Sequence, residues 1–169
     1  MTTVSDARGI DLGPIKIGLA LVLITLALNI GLGAMFGLNE DLFQDYIKAG
    51  IAAHPTLFPD AAKEAGYMWR WIQRAHFHAG GIGAFSLGLV ILTALTDLSV
   101  LRKRITAGLI GLSGFYPVAW FLMFYYAPLV GRTAAHHLFV VELCTDIGVG
   151  GLCLGLLSLV AGIFLPKRA

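Results

Sequence analysis

The sequence predicts an all-α fold, an integral membrane four-helix bundle with a short amphipathic surface helix in its first loop. Three observations lead there. With 57% hydrophobic and 13% charged residues, the chain lies far from the soluble balance of roughly one quarter charged, so the lipid bilayer is its expected solvent. A mean hydropathy of +0.81 agrees. Four apolar stretches, 14–38, 69–96, 105–127 and 134–165, each reach the roughly 20 residues that cross a hydrocarbon core about 30 Å thick. No repeat, low-complexity tract or linker interrupts them, and residues 1–169 read as a single transmembrane domain.

The first span is too long for the apolar core of a signal peptide, roughly 7–15 residues, and it ends in GLGAMFGLNE without a small-x-small cleavage site. It reads as a retained helix. The piece that follows, 39–68, begins with Asn39, Glu40 and Asp41, a helix start with an acidic first turn. Leu42, Phe43, Tyr46, Ile47 and Ile51 then recur at helical spacing, predicting a helix that lies on the outer surface with its apolar side down. Pro55 and Pro59 break the chain, and Pro59 is placed to open the second span. In the third span, FYPVAWFLMFYY predicts a kink at Pro117. Tyr67, Trp69, Trp71, Tyr125 and Tyr126 are expected at the outer interface, or as the wall of a flat aromatic cofactor.

Orientation follows from the basic residues. Arg102, Lys103 and Arg104 crowd the second loop, Arg8 and Lys16 flank the first span, and Lys167 and Arg168 follow the last. Both termini are therefore expected on the cytoplasmic side of a bacterial-type membrane. Lys63, Arg70, Arg74 and Arg132 count against this at the outer side, where the three arginines read instead as ligands of something acidic. A formal net charge of only +2 gives no basis for a nucleic-acid partner.

With that orientation, four of the five histidines come to one outer layer: His76 and His78 in span two, His136 and His137 in span four. Successive residues turn by about 100°, so His76 and His78 point about 200° apart and serve different sites. The face of His76 carries Gly80 and Gly83, room for a helix or for a macrocycle edge; that of His78 carries Arg74, Gly81 and Phe85. Arg74 is placed to pair with a heme propionate. In span four, Glu142 and Asp146 are one turn apart on a face that should be buried, with His136 toward it and His137 away. Ionisable groups in a membrane are costly unless paired or hydrated, which marks both acids as ligands or proton-coupling candidates. Asn29 of span one is a prospective hydrogen-bond partner for either.

The run Ala75-His76-Phe77-His78, with Gly83-Ala84-Phe85 after it, resembles the heme-binding helix of heme–copper oxidase subunit I. The resemblance implies that His76 would ligate a high-spin heme and His78 a low-spin heme on opposite faces. It is confined to one helix: four spans cannot make that family's twelve-helix core, and no copper-ligand helix of the HPEVY kind is present, so oxygen reduction is not implied.

The expected function is that of a membrane b-type cytochrome, with heme b held between spans two and four. His76 and His136 are its expected axial pair, and a second site is open to His78 and His137. Such a protein would exchange electrons with a quinol or another electron carrier, as a homo-oligomer or a subunit of a larger complex. Two other classes compete. One is a copper or other transition-metal site built from His76, His78, His136, His137 and Glu142; the other is a non-catalytic accessory subunit.

Overall fold

The computed structural model describes residues 10–165; Arg8, Lys167 and Arg168, on which part of the orientation argument rests, lie outside them. After a 3-10 turn at Gly13–Ile15, α1 runs over Lys16–Asn39 and α2 over Asp41–Ala53. The longest helix, α3, spans Ala61–Leu95; α4 is Val100–Gly111, α5 Phe115–Val130, α6 Arg132–His136 and α7 Phe139–Phe164. Four stretches are long and apolar enough to cross a membrane, Gly13–Asn39, Ala61–Leu95, Val100–Val130 and Phe139–Phe164. The protein is an all-α, multi-pass integral membrane bundle.

Several boundaries differ from the sequence expectation, each for a local reason. Asn39 does not cap a new helix: α1 runs through it, and the chain turns at Glu40 straight into α2 without a side-chain cap. The start of α3 is fixed one residue beyond Pro59, where the carboxylate of Asp60 accepts from the Lys63 N–H at 3.1 Å. Span four begins at 139, because the backbone leaves the helix at His137 and is extended at Leu138. The predicted kink appears as the 3-10 turn Leu112–Gly114 just before Pro117, since proline cannot donate to the carbonyl four residues back at Ser113. The Ser113 hydroxyl in turn pairs with Ser86 of α3 at 3.0 Å.

The third span, α4 with α5, is the hub. Helix α1 packs on α3 and α4, α3 on α5, and α7 on α4 and α5. At the end holding the α3–α4 turn, here the base, the crossings are glycine-mediated. A Cβ at Gly18 would run into the Ala107 carbonyl, one at Gly111 would meet Gly18, and one at Gly155 would stand 2.7 Å from Ile110. The Thr106 and Ser158 hydroxyls, 2.7 Å apart, tie α4 to α7, and Lys103 Nζ donates to the Ala94 carbonyl at the end of α3 at 2.6 Å.

At the opposite end, the cap, large side chains separate the helices. Helix α2 is the amphipathic helix expected in the first loop, and its apolar side, Phe43, Ile47 and Ile51, is buried in the bundle beside Met68, Trp71 and Phe124. The Tyr46 hydroxyl donates to the Tyr125 carbonyl at 2.6 Å. Trp71, expected at the interface, is core at 6% exposure. A bundle face offers the amphipathic helix closer packing than fluid lipid does, so α2 closes the cap.

Candidate functional site

The helical turn sets the two histidines of α3 on opposite sides, and different neighbours meet them. His76 faces α1. A Cβ at Gly33 would stand 3.0 Å from its ring, Phe36 lies edge-on at 5.6 Å, and its Nδ1–H donates to the Asn29 carbonyl at 3.1 Å. The room expected at Gly80 and Gly83 is filled by α1: Asn29 Oδ1 and Leu26 Cδ2 stand 2.7 and 2.8 Å from where the two Cβ atoms would be. Asn29 is thus directed at Gly80 and not, as expected, at an acid of span four.

His78 faces α5. Its ring stacks on Trp120, with centroids 5.7 Å apart and planes at 28°, and meets Tyr116 edge-on at 5.1 Å. Its Nδ1 donates to the Arg74 carbonyl at 2.8 Å. A carbonyl can only accept, so the proton sits on Nδ1 and the neutral ring keeps its lone pair on Nε2. The Arg74 guanidinium lies 4.9 Å over the Trp120 ring, and a Cβ at Gly81, beside His78, would meet nothing within 4 Å.

Beyond Trp120 a cleft of about 330 Å³ opens between α5 and α7, lined by Tyr116, Trp120, Met123, His136, Val141, Glu142, Thr145 and Asp146. Trp120 Nε1 is buried and, among the described residues, has no hydrogen-bond partner. That is an expensive state for a donor removed from water. Glu142 and Asp146, expected to be buried, are exposed on the rim. Helix α7 docks through Gly148, Gly151 and Gly155, whose backbone approaches α4 and α5 closely; Asp146 lies about 200° around the helix from Gly148, so the docking turns it outward.

The break at His137–Leu138 also overturns the expected direction of His137. On a continuous helix it would point away from the acids; here its Nδ1 donates to Glu142 Oε1 at 3.1 Å, and its ring meets that of His136 at 5.0 Å. Arg132 has its acid in Glu64, with Nε–Oε2 at 3.1 Å, and its guanidinium lies 4.1 Å over Tyr67, which Arg70 also covers at 4.6 Å.

The structure therefore does not bring together the expected axial pair: His76 belongs to the α1 side, His136 to the cleft between α5 and α7. His136 lines that cleft, and His78 stacks on Trp120, which also lines it. The ligand cluster that copper would need is not assembled either. Among the described residues no three His, Cys, Asp or Glu side chains form a group that could hold a metal ion. Sequence reasoning missed Trp120 and Tyr116, whose signal was their one-turn spacing inside an aromatic run. Comparison with known proteins finds no matching family model, no matching curated protein and no matching solved structure.

Proposed function

We propose that the protein is a membrane b-type cytochrome that holds heme beside Trp120, where α3 meets α5 and the cleft between α5 and α7 begins, with His78 as an axial ligand and His136 as its partner. One observation carries the reading: the Nδ1–H of His78 is committed to the Arg74 carbonyl. This fixes the tautomer that leaves Nε2 to a metal, the arrangement that orients ligating histidines. His76 has the same tautomer, but α1 fills the space before it. Arg74 supplies the cation for a propionate, and Tyr116 and Trp120 supply flat apolar surface. Heme would contribute one-electron transfer, with both axial positions filled and none left for substrate.

In this reading the cap faces outward, both termini lie in the cytoplasm of a bacterial-type membrane, and the partners are a quinol or electron carrier and other copies or subunits. Cysteine labelling from each side at Lys48 and Lys103 tests the orientation; outside labelling at Lys103 reverses it. An intense Soret band and a pyridine hemochrome of the b type are expected from the purified full chain. A colourless protein from heme-replete cells overturns the reading. A non-catalytic packing subunit is the second reading, favoured by Gly31 and Gly37 of α1, whose positions face open space; such a protein is colourless.

A further inference from the structure

In the orientation proposed above, basic residues belong at the base, yet Arg70 and Arg74 of α3 stand at the cap. Lys103 marks the base edge by donating to the Ala94 carbonyl. About 20 residues of helix, roughly 30 Å, cross the hydrocarbon, and that count back along α3 from Ala94 ends at Arg74. Arg74 thus lies at the cap-side edge of the hydrocarbon, and Arg70, one turn further out, lies among the lipid head groups. Both are exposed. Each guanidinium is held by a ring: Arg70 lies 4.6 Å from the centre of the Tyr67 ring and Arg74 4.9 Å from that of Trp120. Glu64 and Glu142 of the same end are engaged by Arg132 and His137, and among the described residues neither Arg70 nor Arg74 has a carboxylate partner. Below the pair, the same face of α3 is bare. At about 100° per residue Arg74, Gly81 and Gly88 lie within about 40° of one another, and a Cβ at either glycine would meet nothing within 4 Å. Phe77 and Phe85, 66% and 46% exposed, stand about 40° to either side of Gly81, so the glycines floor a furrow open to lipid. We propose that this face seats an anionic phospholipid of the phosphatidylglycerol kind, with its phosphate between Arg70 and Arg74 and one acyl chain along Gly81 and Gly88.

The chemistry selects that class. Side chains one turn apart on a helix stand about 5–6 Å from one another at Cβ, and two guanidinium forks at that spacing can both donate to a single phosphate. An ammonium-bearing head would bring a cation to two cations, whereas glycerol is neutral. The furrow runs the right way for a tail. Gly81 lies about 10 Å and Gly88 about 21 Å below Arg74, a stretch that covers the cap-side half of the hydrocarbon, about 15 Å deep. A free anion would satisfy the arginines and leave this furrow unused. His78, stacked on Trp120 of α5, lies about 60° around the helix from Gly81, so a heme beside Trp120 and this lipid occupy neighbouring sectors. Arg74, with five N–H donors, borders both; Arg70 serves the lipid alone, and the lipid seat stands without the heme.

The test is native mass spectrometry of the purified full chain in detergent, titrated with phosphatidylglycerol or phosphatidylethanolamine of the same acyl chains, with a hemochrome measured on each sample. Phosphatidylglycerol is expected to bind about tenfold tighter than phosphatidylethanolamine, and Arg70→Gln should remove that preference. Lys48→Gln, which removes an exposed cation of the same end, should leave it in place. Gly88→Leu, at a position open to lipid, fills the furrow and should weaken phosphatidylglycerol severalfold with the arginines intact, so the site is tested even where Arg70→Gln does not fold. Equal binding of the two lipids, or a preference unchanged in either Arg70→Gln or Gly88→Leu, overturns the seat. Displacement of phosphatidylglycerol by equimolar inorganic phosphate means an anion site without a tail and overturns it too. A colourless protein that keeps the preference retains the lipid and rejects the heme; a coloured protein that binds both lipids alike does the reverse.

Discussion

The base and the cap of this bundle are built on opposite principles. At the base, Gly18, Gly111 and Gly155 let backbones touch, and the buried side chains are small or aliphatic: Ile15, Val22, Ala94, Ala107, Ile110 and Leu159. At the cap, Phe43, Trp71, Met123 and Phe124 hold the helices apart, and the polar side chains of the cleft occupy the gap that results. In a bilayer the hydrophobic effect does not press helices together, so close backbone contact must supply the adhesion. Backbone contact of this kind joins α1, α4 and α7 at the base, and at the cap it recurs where Gly50 of α2 meets Pro128. The cleft lies in the half where large side chains space the helices.

The contrast can be broken at its strongest point. Gly155→Leu places a side chain against Ile110, 2.7 Å from where its Cβ would begin. Overpacking of this kind costs about 1–3 kcal/mol or more, and thermal unfolding in detergent should show α7 released from α4. Gly81→Ala, where nothing lies within 4 Å, should not destabilise, and the helix propensity of alanine adds up to about 1 kcal/mol. Equal effects would mean that the tight and open regions are not distinct.

Within the cap, the comparison sharpens to two histidines on one helix. His78→Ala is expected to abolish heme binding in the hemochrome assay, whereas His76→Ala should retain most of it and lose stability instead, since its ring fills the α1–α3 interface. The opposite pattern would move the cofactor to the α1 side. Smaller again is Arg132→Ala, which removes the Glu64 pair and the stack on Tyr67. A partly exposed pair of this kind contributes about 0.2–1 kcal/mol, with a comparable term from the ring, and the loss should appear as faster proteolysis at the cap with no change at the base.

The smallest effect is alkaline. Burial, and then the neighbouring Tyr125, push the Tyr46 hydroxyl above its usual pKa of 10.0. The folded protein thus favours the protonated phenol. Its stabilisation is full below the unfolded value near 10 and is lost as pH rises through the higher folded value. Stability of the wild type should decline through that window, and Tyr46→Phe should flatten the decline; an unchanged slope would show that the Tyr125 carbonyl contact does not hold α2 down.

Hydropathy and length made the four spans readable, because crossing a bilayer leaves little choice of composition. What escaped were decisions made by packing. The apolar side of α2 suits lipid or protein equally, and only the presence of Phe36 and Phe124 decides for protein. The break at His137–Leu138 carries neither proline nor glycine, so the helical projection ran on through it and set His137 on the wrong side. The pitch of α3 did separate His76 from His78 correctly, yet it could not say that the glycines on the His76 face would admit Asn29 and Leu26 of α1. Trp120 was hidden among many aromatics; its lack of an acceptor exists only in the fold.

Helix α3 runs 35 residues without a proline, about 52 Å at the usual rise, and so stands roughly 20 Å beyond the hydrocarbon it crosses. Its far end is gripped by α6 through Glu64 and Arg132, and its near end by Lys103. Beyond the hydrocarbon it cannot lean on lipid tails, and these polar contacts are what hold each end in place.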